Sequence, residues 1–392
     1  MVRISILLVL IFLSKLVVVV GQDIIHGRIV DKKDNAPLPW VTVSIKGKPI
    51  GTATNSNGEF ALKRVGDGDS LHISMIGYEN VDTVLSVQTE RHSILLKEKI
   101  TLLPQMDVSP LKAENILAEV YKKIKNNYPV TSTTFTAIYR EQVVQESEYA
   151  FLGNAQFFIT VPSYWYDETI KNKDKKKFEV MVGDVMVTEN KIDKRLNFKV
   201  PPSETLWLMY PNFGMVQTPE YFDFKILRQF YWNKSNYVEI RFKTKAKYWK
   251  DLPAEGNILI DMDDNVVVSI SWDTERKDEK STGFNKESKL FTATFKTKKY
   301  TQKAFFEKKP DGRWGLKYAQ LYWDLIVSSD KAKINQKYTL ISDLLVTTDK
   351  TSETFVGESL ETNKDFFNKK SVNPTDWSEF NVIVPDFSIK NE

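Results

Sequence analysis

Apolar and polar residues alternate along most of the chain. Val41, Val43 and Ile45 are interleaved with Thr42, Ser44 and Lys46, and Leu71, Ile73 and Met75 with His72 and Ser74. The same period recurs at Phe135, Ala137 and Tyr139, at Ala155, Phe157 and Ile159, and at Val238, Ile240 and Phe242. Ile258, Ile260 and Met262 lead into a turn at Asp263-Asp264-Asn265, and Val266, Val268, Ile270 and Trp272 lead out of it. Phe291, Ala293 and Phe295 repeat the pattern, as do Leu321, Trp323, Leu325 and Val327. Side chains on a strand point alternately to its two faces, so a period of two predicts half-buried strands. One apolar and one polar face predicts an antiparallel sheet.

One segment has a different period. Ile116, Leu117, Val120, Tyr121 and Ile124 share one side of a helix over 112–125, with Lys122, Lys123 and Lys125 opposite, near the C-terminal end where cations suit the dipole. Asn126-Asn127 and Pro129 are expected to stop it. Turn signals crowd the region from Gly51 to Tyr78. Asn57-Gly58 and Gly66-Asp67-Gly68 mark tight reversals, and residue 58 is expected at positive φ. Lysine-rich runs at 171–177 and 296–303 read as solvated loops or protected edges.

The N-terminus is a targeting signal. Arg3 precedes a mostly apolar run from Ile4 to Val20, interrupted by Lys15, and small residues precede Gln22. This predicts a signal peptide over 1–21, with an uncleaved anchor as the alternative. A β-sandwich is expected over 22–100, a linker bounded by prolines over 101–110, and a helix plus antiparallel sheet over 111–392. The predicted class is mainly β, with a helix and a large antiparallel sheet in the second part.

Hydrophobic residues make up 42% and aromatics 12%, which predicts packed cores. The net charge of +4 falls to +2 without Arg3 and Lys15, too weak for nucleic acid or a polybasic membrane contact. With no cysteine there is neither a disulfide framework nor a lipid-bearing Cys.

Residues Asp23 to Val108 resemble a known family. The motif Ile25-x-Gly27-x-Ile29-x-Asp31, then Pro37-Leu38-Pro39 before Val41-x-Val43, Thr54-x-x-x-Gly58-x-Phe60 and Ile76-Gly77-Tyr78 resemble the carboxypeptidase-like regulatory domain. Asn55 departs from the acidic residue usual in that family. The resemblance implies a transthyretin- or Ig-like β-sandwich, the accessory domain of carboxypeptidases and not their catalytic domain. Further on, Glu204 to Pro211 is similar to the L-W-x-Y-x-P stretch of lipoprotein carriers of the Gram-negative envelope, and Gly256 to Trp272 to their crossing hairpin. That likeness implies a half-barrel.

Catalytic signals are weak. His26, His72 and His92 all lie in the sandwich region and none sits in a zinc-peptidase spacing, so no metal site is expected. Asp261 to Asn265 imitates a calcium loop, but Val266 and Trp272 occupy the positions needing Gly and Glu. Ser328-Ser329-Asp330-Lys331 matches S-x-x-K without its partner motifs and reads as a turn. The basic-aromatic run 241–250 reads as a solvated strand face. An enzyme of unrecognised type would draw on carboxylates such as Asp324 and Glu239, which nothing in the spacing pairs. No catalytic residue and no cofactor is therefore expected.

Aromatic density is the remaining functional signal. Tyr164, Trp165, Tyr166, Trp207, Tyr210, Phe213, Phe222, Tyr231 and Trp232 either fill a core or line an apolar site. Trp165, Trp207, Tyr210, Phe213 and Trp232 are the candidate pocket residues. The expected protein is an exported, non-enzymatic component of the periplasm or outer membrane with a binding or scaffolding role. Its partner would be another envelope protein or a lipid-like ligand, with at most peripheral membrane contact. The alternative is a small outer-membrane β-barrel or transport component, with Val238, Ile240 and Phe242 facing lipid.

Overall fold

The structure is a computed structural model that describes residues 24–48, 50–63, 65–66, 68–84, 92–102, 111–161, 163–164, 179–191, 202–210, 215, 218–250, 253–274, 293–330, 333–348, 358–360 and 367. The expected signal peptide and the lysine run at 171–177 lie outside these residues, as do Trp165 and Phe213.

Seven short strands build the N-terminal part: β1 (Ile24–Asp31), β2 (Thr42–Ile45), β3 (Gly51–Ala53), β4 (Glu59–Lys63), β5 (Leu71–Ser74), β6 (Val81–Thr83) and β7 (His92–Leu96). They form two sheets, ordered β4-β1-β7 and β3-β2-β5-β6. The inward positions of the alternation, among them Ile25, Ile29, Val41, Val43, Phe60, Leu62, Leu71 and Ile73, make one buried cluster. β7 runs parallel to β1 and the other pairings are antiparallel.

The Asn57-Gly58 turn takes the expected form. Gly58 has φ 74°, and a Cβ there would stand 2.4 Å from the Ile29 carbonyl oxygen. The departure at Asn55 explains itself. Its side-chain oxygen accepts the N–H groups of Asn57 (3.0 Å) and Glu59 (2.8 Å), as a carboxylate would, while its amide donates to Glu59 Oε2 (3.1 Å).

The remaining elements are β8 (Thr101–Leu102), α1 (Ala113–Asn127), β9 (Thr133–Gln145), β10 (Glu148–Val161), β11 (Glu179–Asn190) and α2 (Pro202–Leu206), which continues into a 3-10 turn over Trp207–Met209. A 3-10 turn at Pro219–Tyr221 leads into β12 (Phe222–Trp232), followed by β13 (Ser235–Thr244), β14 (Ala254–Asp261), β15 (Val266–Thr274), β16 (Thr294–Lys308), β17 (Trp314–Ser329), β18 (Ile334–Thr348) and β19 (Glu358–Ser359). Among the described residues, these strands form one antiparallel sheet of twelve, ordered β19-β11-β10-β9-β18-β17-β16-β15-β14-β13-β12-β8.

This curved sheet has two ends and does not close, which corrects the barrel alternative. Val238, Ile240 and Phe242 have no exposed surface; they belong to the protein's own core and do not face lipid. That core also takes the apolar side of α1 (Ala113, Ile116, Leu117, Val120, Ile124) together with Leu206, Leu208 and Met209.

Three further expectations change. The helix does not stop before Asn126: it runs to Asn127, whose side-chain amide donates to the Asp264 carbonyl at 2.6 Å. Residues 296–303 are not a loop. They lie in β16, where Lys296, Lys298 and Lys299 fall on the outer part that pairs with β17 alone, a sheet margin, while Lys303 lies further in, opposite Ser271 of β15. The start of the expected linker is structured, because Thr101 and Leu102 pair with Tyr231 and Phe230 at the end of the large sheet.

The central strands also depart from the one-polar-face rule. Every residue of β9 from Phe135 to Val144 is buried. Tyr139, Phe157, Leu321 and Leu344 occupy the helix-covered face. The opposite face carries two smaller apolar clusters, Tyr318 and Leu345 with Ala53 of the sandwich, and Val144 with Tyr149 and Leu152. Between them lies a polar belt. Arg140 donates from Nε (2.9 Å) and Nη2 (2.6 Å) to Asp343 Oδ2, while Tyr318 Oη and Gln320 Nε2 (3.0 Å) donate to Oδ1.

Candidate binding cleft

The sandwich docks on the second face of the sheet through Trp40. This residue follows the two prolines and takes φ 60°, a left-handed conformation rare for a bulky side chain. Thr54 supports it: the Trp40 N–H donates to the Thr54 carbonyl (3.0 Å), the Val41 N–H to Thr54 Oγ1 (2.9 Å), and that hydroxyl to the Leu38 carbonyl (2.7 Å). The ring projects onto β16, stacking on Phe305 at 5.9 Å between centroids, with Lys303 Nζ 3.8 Å from the indole centroid. A second tie joins Trp232 Nε1 to the Tyr78 carbonyl at 2.8 Å. Tyr78 in turn donates its hydroxyl to Asp31 Oδ2 (2.7 Å), which holds the Asp31 carboxyl below its ordinary range.

Between these two ties lies a cavity of about 610 Å³. Its sandwich wall comes from Trp40, Thr42, Ala53 and the Ser74–Tyr78 turn, and Phe230, Trp232, Tyr237, Leu259, Phe305 and Tyr318 supply apolar surface from the sheet. Ser269, Ser271 and Asn257 contribute hydroxyl and amide groups to the floor. Charges at the margin are matched: Arg228 meets Glu239 at 2.7 Å, Lys317 meets Glu307 at 3.4 Å, and Lys308 meets Asp264 at 2.8 Å. Glu98 adds a further acid.

Burial, aided by repulsion from Lys299, pushes Lys303 down to about 8 from the ordinary 10.5. The folded state therefore binds its proton less tightly than the unfolded chain does. Stability from this group rises with pH between about 8 and 10.5 and is absent well below that window. Lys303→Met is expected to flatten this rise, read from thermal melting across the same pH range. An unchanged slope would show that another group titrates there.

Of the five pocket residues expected from the sequence, Trp207, Tyr210 and Trp232 lie among the described residues, and they do not share one site. Trp232 lines the cleft. Trp207 is 59% exposed and leans on Tyr210 at 6.0 Å, while Tyr210 meets Tyr164 (5.9 Å), and Tyr164 stacks on Tyr128 (5.8 Å). Tyr164, Tyr128 and Met209 belong to the large core cluster, and Tyr210 packs against it. Trp40, Phe305 and Tyr318 were not singled out. Trp40 lies in a turn and Tyr318 on the strand face opposite Leu321 and Trp323, and the pairing of β16 with β17 brings Phe305 beside Tyr318.

Other candidate chemistry is taken up by local bonding. Asp261 Oδ1 accepts the N–H groups of Asp263 and Asp264, and Asp264 Oδ2 accepts Lys308 Nζ and Trp314 Nε1 (3.1 Å). His72 pairs with Asp82 at 2.7 Å, and Asp82 also takes Lys46 at 2.6 Å. Glu239 on β13 is bound by Arg228, and Asp324 on β17, four places away in the sheet, by Thr339 and Lys337 of the neighbouring β18. No cluster of metal-ligating side chains occurs among the described residues, and no helix among them is long and apolar enough to cross a membrane.

The chain thus joins a seven-strand sandwich to an open sheet, with a cleft between them. Residues 25–108 match the family model of the CarboxypepD_reg-like domain, which takes in the sandwich and β8. Among solved structures, the chain is similar to a putative outer membrane lipoprotein-sorting protein domain from Vibrio parahaemolyticus, at 9% identity and a TM-score of 0.24, covering 64% of this chain and 96% of that one. It is also similar to a LolA superfamily protein from Nitrosomonas europaea, at 12% identity and a TM-score of 0.23, covering 66% of this chain and 98% of that one. No curated protein matches.

Proposed function

We propose that the protein is an exported, non-enzymatic envelope protein that holds an uncharged amphiphile in the cleft between its sandwich and its sheet. The cleft itself carries this reading, since about 610 Å³ is within the range of small-molecule sites. Aromatic and aliphatic walls favour an apolar chain, and burying that chain supplies the affinity. The matched margin argues for an uncharged head group: among the described lining residues, Arg228, Lys308 and Lys317 each already face a carboxylate, which leaves them little to offer an acidic head. Ser269, Ser271 and Asn257 are placed to hydrogen-bond hydroxyl or amide groups. The signal-like N-terminus supports export.

Titration with N-phenyl-1-naphthylamine, an uncharged fluorophore, tests the reading. Ser269 lies on the cleft floor outside the apolar core clusters, so Ser269→Trp fills the cavity and is expected to weaken binding by roughly tenfold or more. Equal affinity in the two proteins would place the probe elsewhere and overturn the assignment.

A further inference from the structure

We infer that Trp314 sets the length of apolar chain the cleft accepts, an inference that rests on the amphiphile reading above. Trp314 lines the cleft and also a second cavity of about 290 Å³, walled by Pro129, Phe135, Tyr164 and Leu316 together with the charged Lys309, Asp311 and Arg313. The indole is buried, and its Nε1–H donates to Asp264 Oδ2 at 3.1 Å. Lys308 Nζ holds the same carboxylate oxygen at 2.8 Å, which ties the β14–β15 turn to the end of β16. The backbone of Trp314 is paired with Lys308 at the mouth of the β16–β17 hairpin, itself closed by the Lys309 N–H to Arg313 carbonyl bond of 2.7 Å. One fixed ring therefore bounds two hollows, the second walled by apolar groups on Pro129, Phe135, Tyr164 and Leu316 and by charged ones on the hairpin turn. A chain lying along the cleft ends against that ring, and the volume beyond it is closed to the chain.

Displacement of N-phenyl-1-naphthylamine by 1-monoacylglycerols of roughly eight to eighteen carbons tests this on the whole protein. Each added methylene should tighten binding about fourfold until the chain reaches the indole, after which affinity stops rising. In Trp314→Ala the plateau is expected to move to longer chains, with the longest bound roughly tenfold tighter than by the wild type. Trp232→Ala should weaken all lengths alike and leave the plateau in place. A folded Trp314→Ala protein with an unmoved plateau overturns the role of Trp314 while leaving the amphiphile reading intact. Failure of every chain length to displace the probe from the wild type overturns both. Should alanine prevent folding, Trp314→Phe, which is smaller and lacks the indole N–H, is expected to move the plateau in the same direction by less, and an unmoved plateau there is equally decisive.

Discussion

Arg140→Met is expected to cost about 3–5 kcal/mol of stability, the largest loss from any single change considered. Arg140 is 3% exposed and Asp343 1%, so removing the guanidinium strands a carboxylate away from water. The pair is also a register lock: Arg140 stands opposite Asp343, and Asp343 opposite Gln320, across β9, β18 and β17. A slip of one residue would turn the charges into the helix-covered core. Urea denaturation of the two single variants and of Arg140→Met/Asp343→Leu forms a double-mutant cycle. The double variant should recover most of the loss, because a buried pair replaced by apolar groups leaves no unmatched charge. Equal loss in single and double variants would show that packing, and not charge, is what the site requires.

Gly58→Val has the second-largest expected effect. The position needs φ 74°, and its Cβ would clash with the Ile29 carbonyl oxygen and approach the Leu38 nitrogen at 3.2 Å. Strain of about 1–3 kcal/mol is a minimum, since Ile29 N–H donates to the Gly58 carbonyl (2.7 Å) and must shift with it. The sandwich core and the large core are separate clusters. Calorimetry is therefore expected to show two transitions, with only the sandwich transition lowered. A single transition moving as a whole would mean that the Trp40 seam and the β8 pairing fuse the two into one cooperative unit.

The sequence made some of this legible and concealed the rest for identifiable reasons. Period-two alternation found β2, β5, β13 and β15, because each has one side in a core, and the 3.6-residue spacing found α1. Asn57-Gly58 was legible because only a residue without a Cβ fits there. Burial of both faces of β9 was not legible. Arg140 sits on the side of that strand which alternation leaves polar, and its pairing with Asp343, some two hundred residues away, is what permits its burial. The cleft was concealed for a related reason. Aromatic density pointed to Trp207 and Tyr210, which lie beside each other at the core's margin, whereas the cleft is assembled from aromatics on β12, β13, β16 and β17 with Trp40 and Tyr78 of the sandwich. Of the three candidates among the described residues, Trp232 lies at the cleft, at the end of β12 where the sandwich returns to the sheet.

The central claim is that the cleft holds an uncharged amphiphile, and native mass spectrometry of the full chain purified from the envelope without detergent tests it most directly. The account predicts a bound mass on the wild-type protein, released by organic solvent as a neutral amphiphile, and a bare polypeptide for Ser269→Trp. A wild-type protein that carries no bound mass, or carries the same mass as Ser269→Trp, would contradict it.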